Sequence, residues 1–554
     1  MSKYEPDVDL LDKYEMDQMD DIVRHDALAP EQQGLKRDLR LRHMIMIAIS
    51  GTIGTGLFLT SGRTIAIAGP GGASYALIGI WLTFVCQAIG EIATLLPLPG
   101  AFNAWGGRVF DEALSFQMTW MYFINWALTI PAELAAAAVI VGFWLPDDSP
   151  FPEWIVPLGI IIVMVLINLM GVRTYGELEY WFSILKILTI IMFIICGVLV
   201  DAGVIGGVKY GMNAWHVEGA PFKGGFLGFI TTLVTVGYSY GGTEMTGVTA
   251  AESRNPHKHV PKAVNTVLVR IVVFYILSVF LLGSIIENSD PQLLNTTTSA
   301  ATAPFTIVFA KAGISAAANF MNAVVFTSVF SAINSDFYIA TRILLSLSRN
   351  GWAHKSIGYT NARGVPMVAL AIVSACSCLS LITIFVGSGV VFHWFVSIIG
   401  SIIFQSWTFI LLLHFRFRYC WKAQGRQVRD LPYVSWGYPY GNILALIIGV
   451  CCVIINWYLS IKNSPTHPGA GATNEDMDAY REARDLYAQG LLGAWFPWVM
   501  SLILFISYKL INKTKLIPAE KADLDTGRFI PSESDKEDLK PHGPLWKRIV
   551  KMLV

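Results

Sequence analysis

The stretch Ser50-Gly51-Thr52-Ile53-Gly54-Thr55-Gly56-Leu57-Phe58 sets three glycines in the middle of the first long apolar run of the chain. A second stretch, Gly237-Tyr238-Ser239-Tyr240-Gly241-Gly242-Thr243-Glu244, interrupts the sixth run in the same way. A helix surrounded by lipid must satisfy its own backbone polar groups, so glycines at mid-span are a liability unless the opened backbone lines a polar cavity. Two such breaks at matching positions of two half-molecules mark the midplane substrate site of secondary transporters.

The composition around these breaks settles the class. The chain has 554 residues, of which 54% are hydrophobic and 14% charged, and its mean hydropathy is +0.52. Soluble domains carry about 25% charged residues, so this is a polytopic membrane protein. The formal net charge of zero favours neither an acidic nor a basic partner, and nothing points to nucleic acid. The seven cysteines are scattered and several lie in apolar runs, which supports neither a disulfide framework nor a zinc site. No cleavable signal peptide is visible, because the first forty residues are polar and acidic.

Residues 1–42 read as a disordered cytosolic tail and 512–554 as a second cytosolic tail, with the membrane domain between them at 43–511. Apolar runs of about 20 residues recur about twelve times. They fall near 44–66, 73–97, 116–145, 154–171, 181–203, 226–249, 264–286, 315–347, 365–387, 392–415, 440–461 and 494–511. The expected fold is therefore an all-α membrane protein with about twelve transmembrane helices. The third and eighth runs exceed what a bilayer needs and are expected to tilt. Positive charge segregates to the even-numbered connections, as in Arg108, Arg173, Lys258, Lys262, Arg349, Lys355, Arg416, Arg418 and Arg426. The opposite connections hold Glu153, Glu287 and Asp290, so both termini are expected inside. Asn295-Thr296-Thr297 is a formal glycosylation sequon on the outer side.

Gly54 and Gly241 lie 187 residues apart, which suggests an internal repeat of five spans. Five is odd, so the second unit enters the membrane inverted and the two breaks face each other near the midplane. Spans eleven and twelve lie outside the repeat.

At the first break, unwinding would present free N–H groups and the positive end of the following half-helix, a geometry that suits a carboxylate. A small-residue face for tight helix packing is the structural alternative. A nucleotide-binding glycine loop is not supported, because no strand precedes the stretch and no Lys closes it. At the second break, exposed carbonyls suit an ammonium group, so together the breaks offer a pocket for an α-amino acid zwitterion. Glu244, beside Tyr240 and Thr243, is an intramembrane carboxylate and marks a functional site by default. It is either a proton carrier, since burial favours its protonated form, or a structural carboxylate bonded across helices. Glu133 lies mid-span after Pro131 and is a candidate for the cavity. Lys186 either exchanges a proton during the cycle or snorkels to the inner surface. Glu91, Asn168, Asn334, Ser335, Asp336 and Arg342 are the other polar residues within apolar runs. No enzyme constellation, metal-ligand set or cofactor motif emerges.

The motifs G-T-I-G-T-G-L-F at 51–58, Y-G-E-L-E-Y-W-F at 175–182 before Lys186, and Y-S-Y-G-G-T-E at 238–244 occur together with A-A-E-S-R-N-P at 250–256 and V-P-K-A-V at 260–264. S-A-I-N-S-D-F-Y at 331–338, G-V-P at 364–366, W-K-A-Q-G-R at 421–426 and L-P-Y at 431–433 complete the set. In this combination the chain resembles the fungal (yeast-type) amino acid permeases of the amino acid–polyamine–organocation superfamily, from about Lys36 to Lys515. The resemblance implies a LeuT-like 5+5 inverted repeat with discontinuous helices 1 and 6, and proton-coupled symport of L-amino acids at the plasma membrane. It places the carboxylate-binding motif on Thr52, Ile53, Gly54, Thr55 and Gly56, and the ammonium-binding carbonyls on Tyr238, Ser239, Tyr240 and Gly241. It places the sixth-span glutamate on Glu244, and on Lys186 the lysine that stands where sodium sits in sodium-coupled relatives. It further implies ubiquitin-ligase machinery acting on the tails, for which Lys3, Lys13 and Lys36 are candidates by location. Pro97-Leu98-Pro99-Gly100-Ala101 departs from the usual serine-rich form after the second span. The expected partners are then an amino acid, protons and the bilayer. Glu133, Thr243 and Asn334 join the candidate substrate-binding residues, and Asp336 beside Asn334 leans toward a cationic side chain within a broad selectivity. An amino acid sensor on the same scaffold is the alternative function.

Overall fold

With no water at hand to take up backbone polar groups, a lipid-embedded chain closes its hydrogen bonds within helices, and the computed structural model is built chiefly of helices. It describes residues 53–98, 100–146, 151–170, 172–245, 247, 250, 256–294, 303–361, 364–462, 464–465 and 474–528. Among these there is no strand, only an isolated bridge between Thr360 and Pro366. Ser50, Gly51 and Thr52 at the first break, the Asn295 sequon, and tail lysines Lys3, Lys13 and Lys36 lie outside the described residues.

The helices that matter for the site follow the apolar runs. The first is α1, in two pieces, Thr55–Phe58 and Thr60–Ala68. Then come α2 (Ala73–Leu95), α3 (Glu112–Gly142), α4 (Ile155–Leu169), α5 (Val172–Asp201) and α6, again in two pieces, Gly225–Thr231 and Leu233–Ser239. The second half comprises α7 (Pro256–Ile285), α8 (Ser315–Arg349), α9 (Met367–Val386), α10 (Ser388–Ala423), α11 (Tyr440–Lys462) and α12 (Asn474–Asn512). Among the described residues nine helices are long and apolar enough to cross a membrane, while Ile155–Leu169 and Gly225–Ser239 are shorter apolar helices.

α3 and α8, with 31 and 35 residues, are as long as their sequences suggest, but α10 and α12 are longer still, with 36 and 39. The reason is visible in α10. Arg416 and Arg418, expected in a connection, remain helical because the Arg418 side chain turns back to the buried carboxylate of Glu91 on α2, with Nη2 2.6 Å from Oε2. His414 Nε2 lies 3.0 Å from the other oxygen, and the Ser435 N–H donates to Oε2 at 2.8 Å. A buried charge is tolerated when it is paired and hydrogen-bonded in this way. The N-terminus of α3 is set by Asp111, whose carboxylate caps the Ala113 N–H at 3.0 Å.

α3 forms the spine of the bundle, packing chiefly against α8 on one side and α10 on the other. α6 lies against α10, and α5 against α8. Residues 513–528 pack onto the cytosolic end expected from the charge pattern. Arg416 donates to the Ile517 carbonyl at 2.6 Å, Gln424 to that of Ala522 at 2.8 Å, and Arg426 grips both oxygens of Asp525 at 2.8 and 2.5 Å. The Arg426 hydrogen bond holds the Asp525 carboxyl below the usual carboxylate range.

Candidate functional site

The two glycine breaks meet. A Cβ placed on Gly56 would fall 2.5 Å from Cα and 3.1 Å from the carbonyl oxygen of Ser239, so the backbones approach as closely as only glycine allows. The Ser239 hydroxyl donates to the Gly56 carbonyl at 2.8 Å and lies 2.6 Å from the Thr60 hydroxyl. These contacts satisfy groups that the interruption of α1 leaves without an i+4 partner. α6 stops at Ser239, and Gly242 then takes φ +91°, a conformation that a side chain rarely adopts.

On the other side of this junction lies a buried cavity. It is lined by Gly54 and Gly56 of α1, by Asn125, Trp126, Thr129 and Glu133 of α3, by Lys186 of α5, and by Tyr238, Ser239, Gly241, Gly242 and Met245 at the second break. α8 contributes Ala332, Ser335, Asp336 and Ile339, and α10 contributes Ile399 and Ile403. Three helices converge on Glu133. The Thr55 hydroxyl donates to its Oε1 at 2.6 Å, the Tyr238 hydroxyl donates to the same oxygen at 3.1 Å, and the two hydroxyls lie 2.7 Å apart. Pro131 has no N–H for the helix ladder two residues earlier. Glu133 Oε2 and Asp336 Oδ2 are buried without a hydrogen-bond partner in the protein. The ammonium of Lys186 lies within the electrostatic reach of three carboxylates, Glu179, Glu133 and Asp336.

Of the residues expected from sequence, Gly54, Gly56, Glu133, Lys186, Tyr238, Ser239 and Gly241 are brought together around this cavity. Thr55 joins them through Glu133 and Tyr238. Ile53 is buried, with its carbonyl 3.4 Å from the Ser328 hydroxyl of α8. Thr52 lies outside the described residues. Tyr240, Thr243, Glu244 and Asn334 are not in the lining. Tyr240 turns behind the break, where its ring lies 4.3 Å from Tyr275 and its hydroxyl donates to the Tyr75 carbonyl at 3.2 Å. Thr243 donates to the Tyr240 carbonyl at 2.8 Å. The Tyr275 hydroxyl reaches the Ser239 carbonyl at 2.9 Å, and the Tyr238 carbonyl takes the Gly241 N–H at 3.0 Å. Glu244 sits between the Gly242 N–H, at 3.4 Å, and the Trp407 indole of α10, at 3.3 Å. Asn334 is buried with both amide atoms unpartnered, away from the lining.

Sequence reasoning passed over Asn125, Thr129 and Glu179. The first two carried a readable signal: with Glu133 they stand at i, i+4 and i+8 of an apolar helix, so they share one face. Among the described residues no group of three or more His, Cys, Asp or Glu is placed to hold a metal.

Interrupted helices around a buried polar cavity, in a chain of long apolar helices, define a membrane transporter rather than an enzyme. The chain matches the family model for amino acid permeases over residues 43–516 and belongs to that family. It is 41% identical to the lysine-specific permease LysP of Lactococcus lactis over 91% of this chain and 95% of that one. It is 40% identical to the histidine permease HisP of the same organism, over 89% and 98%. To the cationic amino acid transporter 1 of Schizosaccharomyces pombe it is 33% identical over 94% and 86%. The chain is thus an amino acid permease of the multi-pass membrane type.

Proposed function

We propose that this permease is a proton-coupled symporter that takes up L-amino acids across the plasma membrane, with a leaning toward cationic side chains. Its twelve spans form a LeuT-like inverted repeat with both termini cytosolic. The observation that carries this reading is the charge balance around Lys186: among the described residues its ammonium interacts with Glu133 and Asp336, which line the cavity with it, and with Glu179, which is buried outside the lining. Three carboxylates against one ammonium, all buried, leave a surplus of negative charge that is costly in a low-dielectric interior. Protons and a cationic substrate both relieve it. The names of the lysine and cationic relatives support the same selectivity.

The substrate carboxylate is held by the opened end of α1 at Gly54 to Gly56, and the α-ammonium by the carbonyls of Tyr238 to Gly241. Glu133 and Asp336 read the side chain. Lys186 exchanges the proton. Glu244 contributes by holding the second break: when it takes up a proton, it loosens its grip on the Gly242 N–H and the Trp407 indole. The two breaks change shape together because Gly56 and Ser239 share their contacts. Cytosolic tails carrying lysines fit control by ubiquitin-ligase machinery.

The test is uptake of labelled lysine into proteoliposomes. The reading expects accumulation driven by an inward-acid gradient and abolished by a protonophore, with arginine and histidine competing better than leucine or glutamate. Accumulation driven by a sodium gradient alone would sink the proton assignment. Binding without accumulation would favour an amino acid sensor on this scaffold.

A further inference from the structure

The buried face of α5 is divided between two kinds of chemistry. From Lys186 toward the Arg173 end, its fully buried side chains among the described residues are Glu179 and Ser183, both polar, with the Ser183 hydroxyl donating to the Glu179 carbonyl at 2.5 Å. From Lys186 toward the other end they are Ile190, Phe193 and Val200, with only Thr189 polar and none ionisable; its hydroxyl, like that of Ser183, donates to the carbonyl four residues earlier. The opposite face of the helix is apolar and exposed, as at Trp181, Leu188 and Ile195. A helix in lipid has no general reason to bury a polar stripe, and ionisable groups at that depth mark pathways for ions or protons. Here the stripe runs from the cavity toward one end of the helix only.

Glu179 and Lys186 are seven residues apart, which puts them on one face about 10 Å apart along the axis. The Cα–Cβ bond of each helical residue tilts toward the helix N-terminus, so the stem of Lys186 leans toward Glu179, with Ser183 between them. α8 closes the stripe from the other side. The Ser331 hydroxyl lies 3.1 and 3.0 Å from the two oxygens of Glu179, so it can donate to the carboxylate, whereas the protonated acid can donate back to it. The charged or titratable groups facing this stripe are Lys186 on α5, Asp336 on α8 and Glu133 on α3, with the Tyr238 hydroxyl next to Glu133. Glu177, two residues away, is exposed.

We propose that Glu179 is the exit station of the proton, receiving it from Lys186 and releasing it at the Arg173 end of α5. The inference rests on the proton-coupled reading above. The Lys186 ammonium loses a proton to the Glu179 carboxylate, directly or through one water held by Ser183. Lys186 becomes a neutral amine and Glu179 a neutral acid. The acid then gives the proton to water at the cytosolic end and returns to a carboxylate, while Lys186 is reprotonated from the cavity through Glu133. One proton enters and one leaves. No group other than water is needed.

The experiment compares Glu179→Gln and Glu179→Asp with the unaltered permease in proteoliposomes, by two measurements. One is accumulation of labelled lysine under an inward-acid gradient; the other is lysine counterflow at equal pH, which needs no net proton release. Glu179→Gln is expected to lower accumulation by about 100-fold, the low end of what a positioned proton-transfer group contributes, with counterflow little changed. Glu179→Asp is expected to restore accumulation in part, with an altered pH profile. Full accumulation in Glu179→Gln would overturn the proposal. So would loss of counterflow in both variants, since that marks a structural carboxylate. If the unaltered permease failed to accumulate lysine under the pH gradient, it would be the proton-coupled reading that falls.

Discussion

Glu133, inside α3, and Glu244, in the turn that follows α6, are both buried glutamates, and in the sequence they look alike. The structure separates them. Glu133 lines the cavity, with one oxygen shared by hydroxyls from α1 and α6 and the other buried without a protein partner. Glu244 faces away, with one oxygen toward a backbone N–H of its own segment and the other toward an indole of α10. One carboxylate is offered to a ligand; the other is spent on the protein. A charge within a span therefore announces function without saying whether it acts on the substrate or on the backbone that holds the substrate. Hydrogen-bond partners make that distinction, and they come from helices distant in sequence.

Substitutions can break this contrast, and the largest effect belongs to the open carboxylate. Glu133→Gln keeps the volume and an oxygen for Thr55 and Tyr238 but removes the charge. Hydrogen bonds to charged groups contribute about 1.5–3 kcal/mol, so lysine affinity should fall by about 10- to 100-fold, measured as binding by the purified permease. An unchanged affinity would place the side-chain reader elsewhere. Glu244→Gln should spare equilibrium binding, slow counterflow by about fivefold and abolish pH-driven accumulation, all measured on the same preparation. If accumulation survives, Glu244 has no part in coupling. Next comes Gly56→Ala, whose Cβ would press on the Ser239 backbone at 2.5 Å. Overpacking of this kind costs about 1–3 kcal/mol and should lower transport by about 10-fold or more. In Gly54→Ala the nearest atoms, Ala332 Cβ and Glu133 Oε1, lie at 3.6 and 3.7 Å, an ordinary contact. That variant should fold and lose far less, so equal losses in the two would end the argument that the breaks touch at Gly56.

Much of the architecture was legible because it follows from lipid. Apolar runs become helices, and glycines in mid-run take non-helical backbone, as Gly54 and Gly242 do. Lys186 and Glu133 could be flagged on cost alone. What could not be read was direction. Tyr240 and Tyr238 are two residues apart, yet one ring goes to Tyr75 and Tyr275 behind the break and the other to Glu133 in the cavity. Once the helix ends, its 3.6-residue period no longer predicts which way a side chain points. Arg418 was misplaced for a related reason: charge alone puts it in a connection, and only Glu91, 327 residues earlier, draws it back against α2. Glu179 was lost among the motif residues because its significance lies in the buried stripe that it shares with Ser183 and Lys186.

The smallest effect tests whether Glu244 acts through its indole partner. Trp407→Phe removes the N–H that lies 3.3 Å from Oε2, and a bond of that kind contributes about 1 kcal/mol, or about fivefold in rate. The same change also trims a ring that packs edge-on against Trp81 at 5.3 Å, so a loss alone would not separate the bond from the packing. A double-mutant cycle does. If Trp407 works through Glu244, then Trp407→Phe slows lysine counterflow in the unaltered permease but has little further effect in a Glu244→Gln background, where the charge that received the bond is already gone. If the two losses add, Trp407 supports α2 and α10 by packing, and Glu244 must hold the second break through the Gly242 N–H alone. Either result fixes which of its two contacts carries the carboxylate's influence to the backbone beside the cavity.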